Sequence, residues 1–247
     1  MKACVIIPAR YSSTRFPGKP LVSILGKPMI IWVAEISARA VGIENVYVAT
    51  ESKMIFDLVE SYGYSSIMTS INALTGTDRV AEASKNLNYD VFINVQGDEP
   101  LLDYNDIINC INLKLKYPNY VINGYSKMNS YEDENSINIP KVITNEQNFM
   151  IYMSRKAIPG FKSEENKVDD YKKQVCIYAF SSDDLQKFAD YGRKSQLENS
   201  EDIEILRFLE FDKKILMYEC KDNSHAVDIP EDVIKVENLL KIKSENN

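Results

Sequence analysis

The chain has 247 residues, 45% of them hydrophobic, enough for one sizeable core, and a single α/β domain over 1–247 is expected rather than two. A net charge of -7 argues against nucleic acid or an anionic membrane surface as the main partner and suits a small anionic ligand held by a local basic patch. Cys4, Cys110, Cys176 and Cys220 show no paired spacing, which indicates neither a zinc site nor a disulfide framework. The N-terminal apolar run is too short for a signal peptide and no stretch reaches the roughly 18 apolar residues of a membrane span, so a cytoplasmic protein with reduced thiols is expected.

The first predicted element is a buried strand, Cys4 to Ile7, closed by Pro8, which cannot donate to a sheet ladder. Within ACVIIPARYSSTRFPGKPL (3–21), Pro17, Gly18 and Pro20 keep the backbone irregular, and Arg10, Arg15 and Lys19 stand among the hydroxyls of Ser12, Ser13 and Thr14. Two guanidiniums that fork onto phosphate oxygens, with one mobile ammonium, would offset much of a triphosphate's charge. A solvated basic loop is the competing reading. Position favours the ligand, because open α/β sheets bind at the carboxyl ends of their strands. The spacing matches neither the GxxxxGK[ST] phosphate loop nor the GxGxxG dinucleotide turn.

Val22 to Leu25 and a turn at Gly26-Lys27-Pro28 lead into a helix, MIIWVAEISARAV, stopped by Gly42, with Trp32 assigned to its core face. A buried strand, VYVAT (46–50), a helix over 53–62 stopped by Gly63, and a strand SIMT (66–69) follow, the alternation of a parallel sheet with crossover helices. Thr75-Gly76-Thr77-Asp78-Arg79 opens the next helix, whose N-terminus could seat an anion or a base edge, or simply be capped by Thr77 or Asp78.

The apolar run Val91 to Val95 ends in Gln96-Gly97-Asp98-Glu99-Pro100, which projects acids from the carboxyl end of a central strand. Mg²⁺ brought by a triphosphate takes one or two such carboxylates, with Asp98 the first candidate and Glu99 facing away if the backbone stays extended. A helix is predicted over 103–119 and strand and loop over 120–150. In SQLENSEDIEILRFLE (195–210), Leu197, Ile203 and Leu206 fall at helical spacing with Glu198, Glu201, Glu204 and Arg207 on a solvated face. Strand ILMYEC (215–220), HAVDIPED (225–232) and a closing helix complete the chain, with Glu231 and Asp232 as acids of that helix's first turn. His225 is the single histidine, so no Ser-His-Asp or Cys-His constellation can be assembled.

IPARYSSTRFPGKPL closely resembles the N-terminal signature of the 3-deoxy-manno-octulosonate (Kdo) cytidylyltransferases, and GTDR (76–79) and VQGDEP (95–100) match two further motifs of that family. The resemblance implies a Rossmann-like nucleotidyltransferase domain, with a mostly parallel, mixed sheet flanked by helices and a smaller sugar-binding and dimerisation subregion at about 103–190. It implies CTP held by Pro8, Ala9, Arg10, Ser13, Arg15, Lys19, Gly76, Thr77, Arg79 and Gln96. Mg²⁺ would be held by Asp98 and Asp228, with Lys19 and Arg15 joining them as catalytic groups. It further implies an acidic sugar contacted by Gln96, Lys141, Arg155, Gln174, Tyr178, Glu198 and Asn199, and a homodimer with no nucleic-acid or membrane partner.

The chain departs from the family pattern at Asn72, Gly160, Gln174-Val175-Cys176 and Asn199, where histidine, tryptophan, His-x-Gly and histidine are usual. The tryptophan slot is expected to be a pocket wall, and glutamine for histidine keeps hydrogen bonding while losing titration near neutrality. The acceptor is therefore Kdo, an 8-amino form, or another acidic sugar. A nucleotidyltransferase of other specificity and a catalytically silent nucleotide-binding protein are the remaining alternatives.

Overall fold

The computed structural model describes residues 2–12, 16–221 and 225–245. After β1 (Ala3–Ala9) come the paired β2 (Ser23–Ile24) and β3 (Lys27–Pro28), then α1 (Met29–Val41), β4 (Val46–Thr50), α2 (Lys53–Ser61), β5 (Ser65–Met68), α3 (Gly76–Ser84) and β6 (Val91–Val95). The second half adds α4 (Tyr104–Lys116), β7 (Val121–Lys127), β8 (Lys141–Thr144), β9 (Met150–Ser154) and β10 (Lys172–Phe180). It closes with α5 (Ser182–Asp190), α6 (Gln196–Glu201), α7 (Leu206–Leu209), β11 (Ile215–Glu219) and α8 (Pro230–Glu245).

The main sheet runs β11-β7-β10-β6-β1-β4-β5, with β8 and β9 attached beside β10. β1 is parallel to β4 and β6, β4 to β5, and β7 to β11, whereas β10 runs antiparallel to both its neighbours. The expected mostly parallel, mixed sheet is thus present. Side chains of β1 alternate between two cores, Val5 and Ile7 on one face and Cys4 and Ile6 on the other, which is why the strand reads as a continuous apolar run. The chain winds outward from β1 to β4 and β5, then returns through α3 to β6 on β1's other flank. That reversal opens a crevice at the carboxyl ends of β1 and β6.

Some boundaries differ from the sequence reading. Pro8 lies inside β1 rather than ending it: β6 leaves the strand after Ile6 while β4 stays paired through Ala9, so Pro8 falls in a stretch laddered on one side, where its missing donor is tolerated. The β2–β3 turn is Leu25-Gly26, both at positive φ (48° and 80°) as a two-residue I′ hairpin requires, one residue earlier than expected. Trp32 packs beside a small core of Ile24, Met29, Leu101, Val227 and Val236; its Nε1 donates to the Ile24 carbonyl (2.9 Å) and the Lys27 ammonium lies 4.1 Å above its ring.

The single amphipathic helix expected over 195–210 is two short ones. Asp202 takes φ 50° and breaks it, and Glu201 and Glu204 are held by partners remote in sequence, Ser154 and Gly76.

Candidate active site

A cleft of about 1140 Å³ opens over the carboxyl ends of β1 and β6. Pro8, Ala9 and Arg10 line it from the end of β1, and Gln96, Gly97, Asp98 and Glu99 from the end of β6. Ser13, Thr14 and Arg15 lie outside the described residues. The Gly18 N–H donates to the Tyr11 carbonyl (2.9 Å), and Lys19 follows in a short turn whose Pro20 is buried.

Lys19 is the centre of the site. Its Nζ lies 2.7 Å from Asp98 Oδ2 and 3.5 Å from Asp228 Oδ1, so the two carboxylates stand no further apart than those distances together. The Val227 N–H donates to the Asp98 carbonyl (3.0 Å) and stitches the C-terminal segment to the turn after β6. Burial alone would lower the lysine's pKa, but the attraction of Asp98 and then Asp228 outweighs it and holds the ammonium above the usual lysine range. Glu99 does not face away. Its N–H donates to the Gln96 carbonyl (3.3 Å), the backbone turns rather than extends, and Glu99 lines the same cleft at 4% exposure.

The opposite wall is the start of α3. Thr75, not Thr77 or Asp78, is the N-cap, its side chain accepting from the Asp78 N–H (3.2 Å). The anion predicted at this helix end is supplied by the chain itself: the Glu204 carboxylate accepts from Gly76 N (2.9 Å), Thr77 N (2.7 Å) and Thr77 Oγ1 (2.6 Å). Gly76 is pinched there, because a Cβ would meet the Gln96 amide at 2.9–3.0 Å and Glu204 Oε1 at 3.2 Å. Arg79 lines the cleft, but at 4% exposure its guanidinium is already engaged, donating to Thr69 Oγ1 and the Ser70 carbonyl (3.3 Å) and lying 3.0 Å from Glu51 Oε2. This guanidinium is therefore held by the chain's own groups, with Gln96 and Gly76 lining the cleft beside it.

Along β10 the cleft is lined by Gln174, Cys176 and Tyr178, with Gln174 Nε2 donating to Asn123 Oδ1 (3.3 Å) and to the Tyr178 hydroxyl (3.2 Å). Arg155 also lines it, its guanidinium donating to the carbonyls of Glu201 (2.5 Å), Asp202 (2.9 Å) and Ile137 (2.8 Å), so no carboxylate neutralises it in these bonds.

Other predicted sugar contacts are placed differently. Lys141 is fully buried off the cleft wall, bonding the carbonyls of Ser136 (2.8 Å) and Arg155 (2.5 Å); burial, then Arg155, pushes its ammonium below the usual range. Asn199 is exposed and off the wall, and Gly160 is off it too, with open space where a side chain would begin. Glu198 reaches the wall, but at 1% exposure its carboxylate is taken by the Ser195 N–H (2.9 Å) and by Arg207 Nε and Nη2 (both 2.7 Å).

The sequence reading missed Glu204, Glu51 and Arg207 as shapers of the site. For Glu204 a signal was present, since it sits between Ile203 and Ile205, both buried. Among the described residues no group of three or more His, Cys, Asp or Glu could hold a metal ion, and no helix is long and apolar enough to cross a membrane.

A switch-point cleft carrying a cationic turn after the first strand and two aspartates bridged by one lysine defines the class, a nucleotidyltransferase with an α/β sheet. A family profile described as cytidylyltransferase matches residues 4–215. The chain is 41% identical to the 8-amino-3,8-dideoxy-manno-octulosonate cytidylyltransferase of Shewanella sp. (strain W3-18-1), over 97% of this chain and 99% of that one. It is 37% identical to the 3-deoxy-manno-octulosonate cytidylyltransferase of Trichlorobacter lovleyi, over 98% and 99%. A solved structure of CMP:2-keto-3-deoxy-manno-octonic acid synthetase complexed with CTP superposes with a TM-score of 0.89 at 33% identity, covering 98% of this chain and all of that one. The chain belongs to the cytidylyltransferase family.

Proposed function

We propose that the chain transfers the cytidylyl group of CTP to a 3-deoxy-manno-octulosonate, forming the CMP-sugar and pyrophosphate. The observation that carries this is the convergence of Lys19, Asp98 and Asp228 at the β1–β6 crevice, in a chain similar over nearly its whole length to octulosonate cytidylyltransferases. The acceptor hydroxyl gives its proton to water as its oxygen bonds to the α-phosphorus, while the bond from that phosphorus to the bridging oxygen breaks and pyrophosphate leaves. Such a transfer needs positioning and charge compensation more than a protein nucleophile.

Arg10 and Lys19 face the phosphates, with Arg15 and Ser13 in the same loop. Gln96 and the Gly76 turn hold the nucleoside, and Arg155, Gln174 and Tyr178 orient the sugar acid. Magnesium fits the residues present: two carboxylates already share one cationic group, and Mg²⁺ sites of this kind use one or two carboxylates with phosphates and waters. Asp98 and Asp228 would hold the ion, which when bound lowers the cost of an alkoxide on the acceptor. Lys19 would then turn from the aspartates to the phosphates.

The 8-amino sugar is the second reading, favoured by the Shewanella relatives at up to 41% identity and by the neutral Gln174 in a slot where histidine is usual. The proposal extends to a cytoplasmic homodimer whose product feeds surface polysaccharide or lipopolysaccharide synthesis. The β8–β9 pair beside the sheet, with Ile151 57% exposed, supports a dimer surface there. The test is pyrophosphate release from CTP and magnesium against Kdo, 8-amino-Kdo and several nonulosonic acids. Turnover of either octulosonate is expected, and turnover of none would overturn the reading.

A further inference from the structure

Glu51 follows β4 and is not part of the cleft wall, yet its carboxylate ties together two segments that are. Oε1 accepts from the Tyr11 N–H (2.8 Å), the residue after Arg10 and the start of the cationic loop. Oε2 lies 3.0 Å from Arg79 Nη2, off the hydrogen-bond line, so the attraction there is between charges. The pair is nearly buried, at 9% and 5% side-chain exposure, which strengthens it and makes either charge costly to leave alone.

Arg79 in turn is fixed to Thr69 and Ser70, at the exit of β5. Three strand exits, those of β1, β4 and β5, and the first turn of α3 are thereby joined through one carboxylate. Arg10 and Arg79 also lie close enough to repel, and Glu51 supplies the negative charge between their segments.

We infer that Glu51 is a positioning residue for the nucleotide half of the site: through the Tyr11 N–H it fixes where the loop leaves β1, and so sets Arg10 on the cleft wall. The inference rests on CTP being the nucleotide bound, and it makes no claim on the acceptor half. The two substitutions Glu51→Gln and Glu51→Ala separate its roles. Both remove the charge facing Arg79; glutamine keeps an oxygen for the Tyr11 N–H and alanine does not.

The test is CTP affinity by equilibrium titration, with acceptor KM and urea unfolding on the same proteins. Glu51→Ala is expected to weaken CTP about tenfold, the size of one charge-assisted hydrogen bond. Glu51→Gln should stay within about threefold of wild type and acceptor KM within about twofold in both, because the tie touches one half only. Equal CTP affinities in the two variants, or acceptor KM rising in step with CTP, would overturn the inference. Should neither variant fold, amide exchange of the wild-type protein decides: the Tyr11 N–H is expected to be protected without CTP, and exchange at the rate of a free loop amide would overturn it. Titration of CTP reads Glu51 even where no octulosonate is turned over, so failure here is distinct from failure of the proposed function.

Discussion

At the scale of single residues, charges are placed against desolvation. Asp98 is partly exposed and held by Lys19, so Asp98→Asn should leave the fold intact while kcat falls by about 10²–10³, the size of one lost electrostatic contact to a transition state; pyrophosphate release beside a thermal melt checks it. Gly76 cannot carry a side chain without moving Gln96 or Glu204, so Gly76→Ala should raise KM for CTP more than it lowers kcat. Asp106 gives a pH-dependent test. It is fully buried at the start of α4, Oδ1 accepts from the Lys221 N–H (3.0 Å), Oδ2 has no hydrogen-bond partner among the described residues, and burial pushes its pKa up to about 6. A carboxyl raised in the folded state binds its proton more tightly there, so stability falls as pH rises from about 4 to about 6 and stays lower above. Asp106→Asn should lack that loss and be the more stable protein at pH 7.5 by about 3 kcal/mol, with the gain largely gone at pH 4; urea unfolding at both pH values measures it.

At the scale of elements, α3 is fastened to the segment that carries α6 and α7 by groups that read as solvent-facing in the sequence. All five N–H donors of the fully buried Arg207 are used, on both oxygens of Asp78, both of Glu198 and the Phe188 carbonyl. Arg207→Leu leaves Glu198 buried and unpaired and should cost about 3–5 kcal/mol in urea unfolding, whereas an exposed ion pair such as Lys53–Asp57 should be worth under about 1 kcal/mol. Helical spacing at Leu197, Ile203 and Leu206 was legible, but the break at Asp202 was not. The acids are pulled inward by Gly76, Ser154 and Arg207, one more than a hundred positions away, and local periodicity holds no trace of such partners. Thr75 was missed as the cap for a milder reason: three neighbouring residues could each have capped α3, and only the backbone chose.

At the scale of the whole molecule, strand-helix alternation and the continuous apolar strands made the mixed α/β sheet legible. So did the rim where Lys19, Asp98 and Asp228 meet, because motifs at strand exits must collect at one end of a parallel sheet. The reversed direction of β10 and the side pair β8–β9 were not readable, since a strand's sequence does not state which neighbour it joins. The acceptor half was the less legible for the same reason: Lys141 and Asn199 carry suitable chemistry, yet packing turns one into the interior and the other to solvent. In the proposed function two aspartates far apart in sequence grip one divalent ion beside the cationic loop. Manganese affinity of the CTP complex, followed by electron paramagnetic resonance in wild type, Asp98→Asn and Asp228→Asn, tests it most directly. Each substitution alone should weaken the ion by about tenfold or more, a carboxylate ligand lost; unchanged affinity in either would contradict the claim.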